Sequence, residues 1–179
     1  MRARSEKVVL LCTPSLSTKP CVMATLGIST NTRLLGFAII KQDQLLDYSI
    51  RLYKSSWSPS KATQIITSLE PCVRRYSITR VVLSIPPKHH QTKAFRHLHL
   101  QLKAHFEERN IAFCTRFVRE TISMAIADKR KTKRALLDSV VQKYPELQYC
   151  YLRELRNKKQ YYVKVFEAVA VGSLADQEK

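Results

Sequence analysis

The sequence predicts an α/β fold with a mixed five-stranded sheet, in which the first three strands are antiparallel and helices flank the sheet. The first observation is a set of three apolar runs joined by short polar connections, at residues 22–28, 34–41 and 45–53. Such a succession is typical of an antiparallel meander. The second is an alternation of helical apolar spacing with two further apolar runs, at residues 78–85 and 111–118. Strands that alternate with helices favour parallel pairing within one sheet.

The first predicted helix begins after the meander. Ser58 followed by Pro59 is a typical helix start, with serine as the cap and proline at the first helical position. Apolar residues between Ile65 and Val73 recur on one helical face, and Pro71 is expected to end or kink that helix. A second amphipathic helix is predicted over residues 92–109.

Two more helices are predicted in the last third of the chain. The first carries apolar residues from Leu136 to Tyr144 on one face and ends at Pro145. The last covers about residues 161–174. Because 179 residues with 45% hydrophobic content can bury one core, we expect residues 21–179 to form a single domain and residues 1–20 a peripheral N-terminal segment.

A motif in the first hairpin identifies the fold more closely. Gly27 and Ile28 end the first apolar run, a polar turn from Ser29 to Arg33 follows, and Gly36 lies just inside the second run, where it permits a bend or a close backbone approach. This pattern resembles the opening hairpin of the RNase H-like superfamily, above all the RuvC-type Holliday junction resolvases and the related YqgF-type nucleases. Their pattern is Gly-Ile-Asp, then Pro-Gly-Ser/Thr-Arg, two variable residues and Gly. Asn31 stands at the glycine of the Pro-Gly turn in that pattern, where we expect a positive φ.

The resemblance implies an RNase H-like fold over about residues 22–174 and indicates where catalytic acids would lie. Nucleases of this superfamily hold two divalent ions with a cluster of carboxylates. The positions that match those acids are filled by Ser29, Ser84, Lys164 and Glu167. Only Glu167 keeps a carboxylate, and an ammonium group at Lys164 would repel a metal or occupy its place. We therefore expect a catalytically degenerate site without a cofactor, in which Glu167 forms an ion pair with Lys164.

Two alternatives stay open at this point. One is an active metal-dependent endonuclease, resembling a Holliday junction resolvase, in which other acids have moved into the site and bind Mg²⁺. The available acids are Asp47, Glu70, Glu120, Asp128 and Asp138. The other is a non-enzymatic assembly subunit that uses the fold as a platform for a protein partner.

The charge of the chain points to a polyanionic partner. There are 31 Lys and Arg residues against 14 Asp and Glu, a formal net charge of +17. Five of the six residues from Lys129 to Arg134 are cationic, and this run resembles the basic loop of RuvC-type proteins beside the DNA. A solvated loop or a localisation signal is the alternative for that run. The predicted phosphate contacts are Arg33, Lys129, Arg130, Lys131, Lys133, Arg134, Lys158 and Lys159.

Aromatic residues accompany a second basic group, which consists of Arg153, Arg156, Lys158, Lys159 and Lys164. Tyr149, Tyr151, Tyr161 and Tyr162 could stack on exposed bases, whereas the alternative is core and rim packing. Five histidines cluster between His89 and His105, but their spacing does not suit a zinc site and favours a solvated loop and a polar helix face.

The cysteines bear on the cellular compartment. The chain has five, widely separated and without the CxxC spacing of a zinc site, so we expect buried thiols in a reducing interior. That favours an intracellular location, cytoplasmic or nucleoid, with organellar import as an alternative. The longest N-terminal apolar run, Val8–Cys12, is too short for a membrane span. The sequence thus predicts a RuvC-like protein that binds structured or branched nucleic acid, DNA in preference to RNA. The resemblance also suggests a homodimer.

Overall fold

The structure, a computed structural model, describes residues 23–125, 132–157 and 160–177. One mixed sheet contains five strands: β1 Ala24–Thr30, β2 Leu34–Lys41, β3 Gln44–Leu52, β4 Ile78–Ile85 and β5 Ala112–Phe117. Their order across the sheet is β3-β2-β1-β4-β5. The first three strands pair antiparallel, whereas β4 pairs parallel with β1 and β5 pairs parallel with β4. The predicted fold class is confirmed.

Seven helices connect or flank these strands in the described residues. They are α1 Pro59–Thr67, α2 Glu70–Tyr76, α3 Lys93–Glu107, α4 Val118–Ala125, α5 Lys133–Lys143, α6 Gln148–Arg156 and α7 Val163–Gln177. Side-chain caps begin three of them, because Ser58, Thr92 and Thr132 each accept a hydrogen bond from a backbone N–H three residues later. The predicted start of α1 at Ser58 and Pro59 is therefore confirmed.

Three features of the helical regions were predicted wrongly or missed. Pro71 neither ends nor kinks one long helix: α1 ends at Thr67, and Pro71 lies in the first turn of α2, where its missing N–H leaves no helical bond unmade. Helix α4 follows β5 without an intervening turn, so no breaker marks the change. The tyrosine-rich segment forms α6, a helix that the apolar spacing did not predict.

The first turn also differs from the expectation. Asn31 has no positive φ. Its side-chain oxygen instead accepts hydrogen bonds from the backbone N–H groups of Arg33 and Leu34, at 2.8 and 2.7 Å. An asparagine side chain can thus close the turn without the left-handed backbone that glycine would supply. Positive φ values occur in the next turn, at Gln42 and Asp43.

The sheet separates two apolar clusters. On β1, Leu26 and Ile28 pack into the cluster formed with α1, α2 and α3. Successive side chains of a strand point to opposite faces, so Gly27 and Ser29 face the other side, where α7 lies. That side contains residues of α5 and α7, including Leu136 and Phe166. Side chains of α7 that point to the sheet therefore meet the face that carries Gly27 and Ser29 and not the first cluster.

Two glycines let α7 lie against the sheet. A Cβ atom built on Gly27 would lie closer than 3.0 Å to the backbone oxygen of Ala168, and one on Gly36 would lie as close to the carbonyl group of Lys164. The predicted close approach at Gly36 is thereby confirmed. Because Gly36 contacts the backbone of Lys164, Gly36 helps to set the height of Lys164 above the sheet.

A polar cluster ties the β2–β3 turn to α5 and α7. Lys143 Nζ donates to Asp43 Oδ1 at 2.5 Å and to Ser173 Oγ at 2.8 Å. Burial raises the pKa of Asp43, but the bonds from Lys143 and its neighbours outweigh that effect and leave the pKa below its ordinary value of 3.8. Burial likewise lowers the pKa of Lys143, yet the bond to Asp43 leaves it raised.

We expect the ionised carboxylate of Asp43 to stabilise the fold near neutral pH and to lose that contribution in acid. Because the folded pKa of Asp43 is lowered, its contribution is complete above about pH 3.8 and is lost as the pH falls through the lowered folded value. Thermal melts from about pH 6 down to pH 2 should therefore fall less steeply for Asp43→Asn than for the unmodified protein. Asparagine is the suitable replacement because it removes the charge of Asp43, keeps its size and tolerates its φ of 61°. Equal slopes would contradict the assignment.

Three of the five cysteines lie in the described residues. Cys72 and Cys150 are buried, and burial raises the pKa of both thiols, but Cys114 is exposed on the edge strand β5 and the expectation is wrong there. Within the residues that the structure describes, the helices are too short or too polar to cross a lipid bilayer.

Candidate functional site

The site begins at the adjacent ends of two parallel strands. Ser29 near the end of β1 lies directly opposite Ser84 near the end of β4 in the β1–β4 register. Both side chains are buried, and both lie on the α7 face of the sheet because Gly27 and Val82, two residues earlier, also do. The structure thus brings together the first two of the four residues that match the acid positions.

The first two turns of α7 supply the other two residues. Lys164 and Glu167 are three residues apart, so both project from the same side of the helix. Glu167 Oε2 accepts a hydrogen bond from Ser29 Oγ at 2.6 Å and one from Lys164 Nζ at 2.6 Å. Lys164 Nζ also lies 3.3 Å from Ser29 Oγ. The predicted ion pair of Lys164 and Glu167 is present, and a serine hydroxyl completes it.

The polar groups of this site suit a hydrogen-bond network better than a magnesium site. Mg²⁺ requires oxygen ligands, usually including carboxylates, and a two-metal centre requires several of them. The four acid-matching positions supply one carboxylate, two hydroxyl groups and an ammonium, which has three donors and no acceptor. The positive charge of Lys164 stands 2.6 Å from the oxygen that would have to bind the metal. The residues present therefore do not fit a pair of Mg²⁺ ions.

Ser84 adds one unexplained polar atom to this site. Its Oγ is buried and has no hydrogen-bond partner among the described residues. A buried hydroxyl without a partner costs about 1 to 3 kcal/mol. Sequence reasoning placed Ser84 near the site, but nothing in the sequence indicated that its hydroxyl would lack a partner.

The other acids considered as metal ligands have their own partners. Asp47 accepts from Tyr76, and Glu70 binds His105 and Arg109. Glu120 accepts from the backbone N–H of Phe117, and Asp138 binds Arg134 and Tyr151. Asp128 lies outside the described residues. In the described ranges 23–125, 132–157 and 160–177, no three His, Cys, Asp or Glu side chains are grouped closely enough to hold a metal ion.

The predicted phosphate contacts are only partly described. Arg33 is exposed in the β1–β2 turn, directly after the strand that ends beside Ser29. Lys133 and Arg134 are exposed in the first turn of α5, where Lys133 Nζ lies 3.5 Å from Gln160 and Arg134 binds Asp138 and Tyr151. The rest of the set lies outside the described residues: Lys129, Arg130, Lys131, Lys158 and Lys159.

The histidines have ordinary surroundings. His89 and His90 are exposed in a short 3₁₀ turn after β4, as expected for a solvated loop. His97 meets the edge of Trp57, and His99 stacks on Phe113. His105 differs from the expected polar helix face, because it is partly buried and its Nε2 lies 2.5 Å from Glu70.

The tyrosines of the second basic group take two kinds of position. Tyr149 is exposed beneath the guanidinium of Arg153, and Tyr151 binds Asp138. Tyr161 and Tyr162 meet edge to face, with ring centroids 5.0 Å apart, and line an open pocket beside the start of α7. Sequence reasoning found these four residues but missed the pocket, which forms only when the end of α6 and the segment before α7 come together.

Solved structures of other proteins have a similar fold, although the sequence comparisons found no match. No family model matches the sequence, and no curated protein matches it significantly. The structure is similar to Thermus thermophilus RuvC in complex with a Holliday junction substrate, with a TM-score of 0.64 and 14% identity over 87% of this chain and 94% of the other. A second Thermus thermophilus RuvC structure has a TM-score of 0.64 with 13% identity, over 87% of this chain and 95% of that one.

A viral structure is also similar. The Fowlpox virus resolvase, in complex with substrate Holliday junction DNA, has a TM-score of 0.56 and 14% identity over 87% of this chain and 98% of the resolvase. This chain therefore has the RuvC-type, RNase H-like fold that the hairpin motif indicated.

Proposed function

We propose that this protein binds structured or branched DNA through its basic surface and that its nuclease site is degenerate. The observation that carries the proposal is the bonding of Lys164 Nζ and Ser29 Oγ to Glu167, the one carboxylate at the four acid-matching positions. The fold supports the first half of the proposal, since two of the similar structures are resolvases bound to Holliday junctions.

Charge supports DNA binding by this chain itself. The formal net charge is +17, and a field of that size attracts nucleic acid and strengthens binding at low salt. Arg33, Lys133 and Arg134 are exposed, and Arg33 follows the strand that ends at the site. We propose that these residues, together with the basic run 129–131 and Lys158 and Lys159, contact phosphates.

The ion pair supports the loss of metal-dependent cleavage. For a divalent ion to bind at Glu167, Lys164 would have to leave, and the ion would then find one carboxylate and two neutral hydroxyls. Replacing a tethered cation by a solvated one with so few ligands is unfavourable, because each lost carboxylate removes a strong attraction for the metal. We infer that Lys164 acts as an internal counter-ion for Glu167 and that no resident metal is needed.

The test is a junction assay with the purified protein. We expect an intact, labelled four-way junction to bind and to stay uncut in Mg²⁺ or Mn²⁺. Replacing Lys129, Arg130 and Lys131 together with alanine should weaken binding across sequences and flatten its salt dependence by up to about three phosphate contacts. The measurement is fluorescence anisotropy over a salt series, with cleavage followed on denaturing gels.

A charge-matched control separates a specific surface from overall charge. Arg75, Lys93 and Arg96 are exposed on α2 and α3, on the side of the sheet opposite α7, and their joint replacement removes the same charge. An unchanged salt slope for the first triple variant, or equal slopes for both, would refute the proposed surface. Metal-dependent cleavage that Glu167→Gln abolishes would establish an active endonuclease instead. Absence of DNA binding would favour an assembly subunit.

A further inference from the structure

A pocket at the end of α6, before the start of α7, is lined by basic and aromatic residues and takes no part in the ion pair. Its lining consists of Arg153, Arg156, Asn157, Tyr161 and Tyr162, at the end of α6 and the approach to α7, and we call it the tyrosine pocket. Its volume is about 580 Å³, within the range of about 300 to 1,000 Å³ typical of small-ligand sites. A single nucleotide fits such a volume.

Glu154 holds one wall of the tyrosine pocket. It is buried in α6, and its Oε2 accepts a hydrogen bond from the backbone N–H of Tyr162 at 2.6 Å. Burial raises the pKa of Glu154, while the bond from Tyr162 opposes that rise. This contact fixes the backbone of Tyr162 against α6, and the edge-to-face contact with Tyr162 then orients the ring of Tyr161. The aromatic wall is therefore anchored by a buried group and not by surface contacts alone.

The described residues that line the tyrosine pocket carry positive charge. Arg153 Nη1 donates to the hydroxyl of Tyr149 at 2.6 Å, and neither Arg153 nor Arg156 has an acidic partner among the described residues. The part of the lining that the structure describes contains no carboxylate. The pocket thus offers two guanidinium groups, which suit phosphate oxygens, next to aromatic rings, which suit the face of a base.

We propose that the tyrosine pocket binds an unpaired nucleotide of the nucleic acid that this protein recognises. The inference rests on the proposed function and goes further, because it assigns the protein a preference for DNA with a single-stranded element at this point. A base stacks on Tyr161, and its phosphate pairs with the two guanidinium groups of the pocket, those of Arg153 and Arg156. A paired duplex cannot use the rings, because its bases are already stacked on one another.

A protein partner is the other occupant that this region could accept. Tyr149, Leu152 and Leu155 are exposed along α6. They belong to the helix surface and not to the lining of the pocket, where polar and cationic groups predominate. The charge and the aromatic rings of the pocket therefore favour a nucleotide. The experiment below also distinguishes a nucleotide from a protein partner.

The experiment compares a paired duplex with the same duplex carrying a short single-stranded thymidine tail. We expect the tail to strengthen binding by the unmodified protein about tenfold in fluorescence anisotropy, the effect of one stacked base. Tyr161→Ala should remove the tail-dependent gain and leave duplex binding within about twofold. Tyr161→Phe should retain the gain, because the ring and not the hydroxyl carries the stacking. Arg156→Ala should lower the salt slope on tailed DNA by about 0.7.

Arg75→Ala is the matched control for Arg156→Ala. Arg75 is also exposed and lies over a tyrosine ring, but on the side of the sheet opposite α7. It should leave the tail-dependent gain unchanged. If the unmodified protein binds the duplex but gains nothing from the tail, or if Tyr161→Ala keeps the gain, the nucleotide assignment is wrong while the proposed function stands. Self-association that Tyr161→Ala abolishes, without any tail effect, would make the pocket a protein interface. Failure to bind any DNA would overturn both.

Discussion

Replacing Gly27 with alanine is expected to lower the free energy of unfolding by about 3 kcal/mol or more, which is at or above the upper end of typical overpacking effects. The new Cβ would lie closer than 3.0 Å to the backbone oxygen of Ala168. A flexible side chain could move away from such a contact, but a helix backbone cannot do so locally. Helix α7 would have to lift from β1 and lose part of its packing against the sheet.

Gly172→Ala provides the control for this prediction. Gly172 lies on the same helix, but its added Cβ would come no closer than 3.2 Å to a side-chain carbon of Ile40 and 3.4 Å to the backbone of Gly27. The gain in helix propensity, about 1 kcal/mol, offsets the tighter contact. Urea unfolding should therefore show a large loss for Gly27→Ala and a small change for Gly172→Ala. Equal effects would show that α7 does not depend on the close approach at Gly27.

The second large effect concerns the ion pair at the candidate site. We expect Lys164→Met to lower the free energy of unfolding by about 2 to 3 kcal/mol, because it leaves a carboxylate that is 3% exposed without its counter-charge. This value is below that of a fully buried pair, since the side chain of Lys164 is 21% exposed. Only the bond from Ser29 to Glu167 would remain.

A double-mutant cycle measures the pair. Glu167→Gln removes the charge of the partner and keeps its shape, so the double variant should recover most of the stability that Lys164→Met loses. Chemical denaturation of all four proteins would yield an interaction energy of about 1 to 3 kcal/mol. Additive losses would contradict the view that Lys164 serves as the counter-ion of Glu167. Stabilisation of the unmodified protein by Mg²⁺ would also contradict that view, because it would show that a metal ion binds to the folded protein.

Local signals were sufficient for the strands and for most helices. The apolar runs and short turns predicted all five strands, and β2 and β4 have the predicted bounds. Helix α6 was missed because its apolar residues do not form a buried stripe: Tyr149, Leu152 and Leu155 are exposed, whereas the buried residues are Cys150 and Glu154. Where the apolar face of a helix is not its buried face, periodicity does not identify it.

The candidate site was predictable in part. The hairpin motif led to Ser29, Ser84, Lys164 and Glu167, and the spacing of three residues indicated the ion pair between the last two. The hydrogen bond from Ser29 to Glu167 joins residues 138 positions apart, and no local pattern contains it. The tyrosine pocket was missed for the same reason, since each wall comes from a different segment.

The amino-acid sequence by itself determined the five strands and the antiparallel pairing of the first three, because side-chain alternation and turn residues act between near neighbours in the chain. It also determined the chemistry available at the acid-matching positions: one carboxylate, two hydroxyls and an ammonium. Only the tertiary structure decided that Lys164 and Ser29 share one oxygen of Glu167. A hydrogen bond requires its atoms to lie within about 3 Å and in line, and that geometry is set by the height of α7 above Gly27 and Gly36.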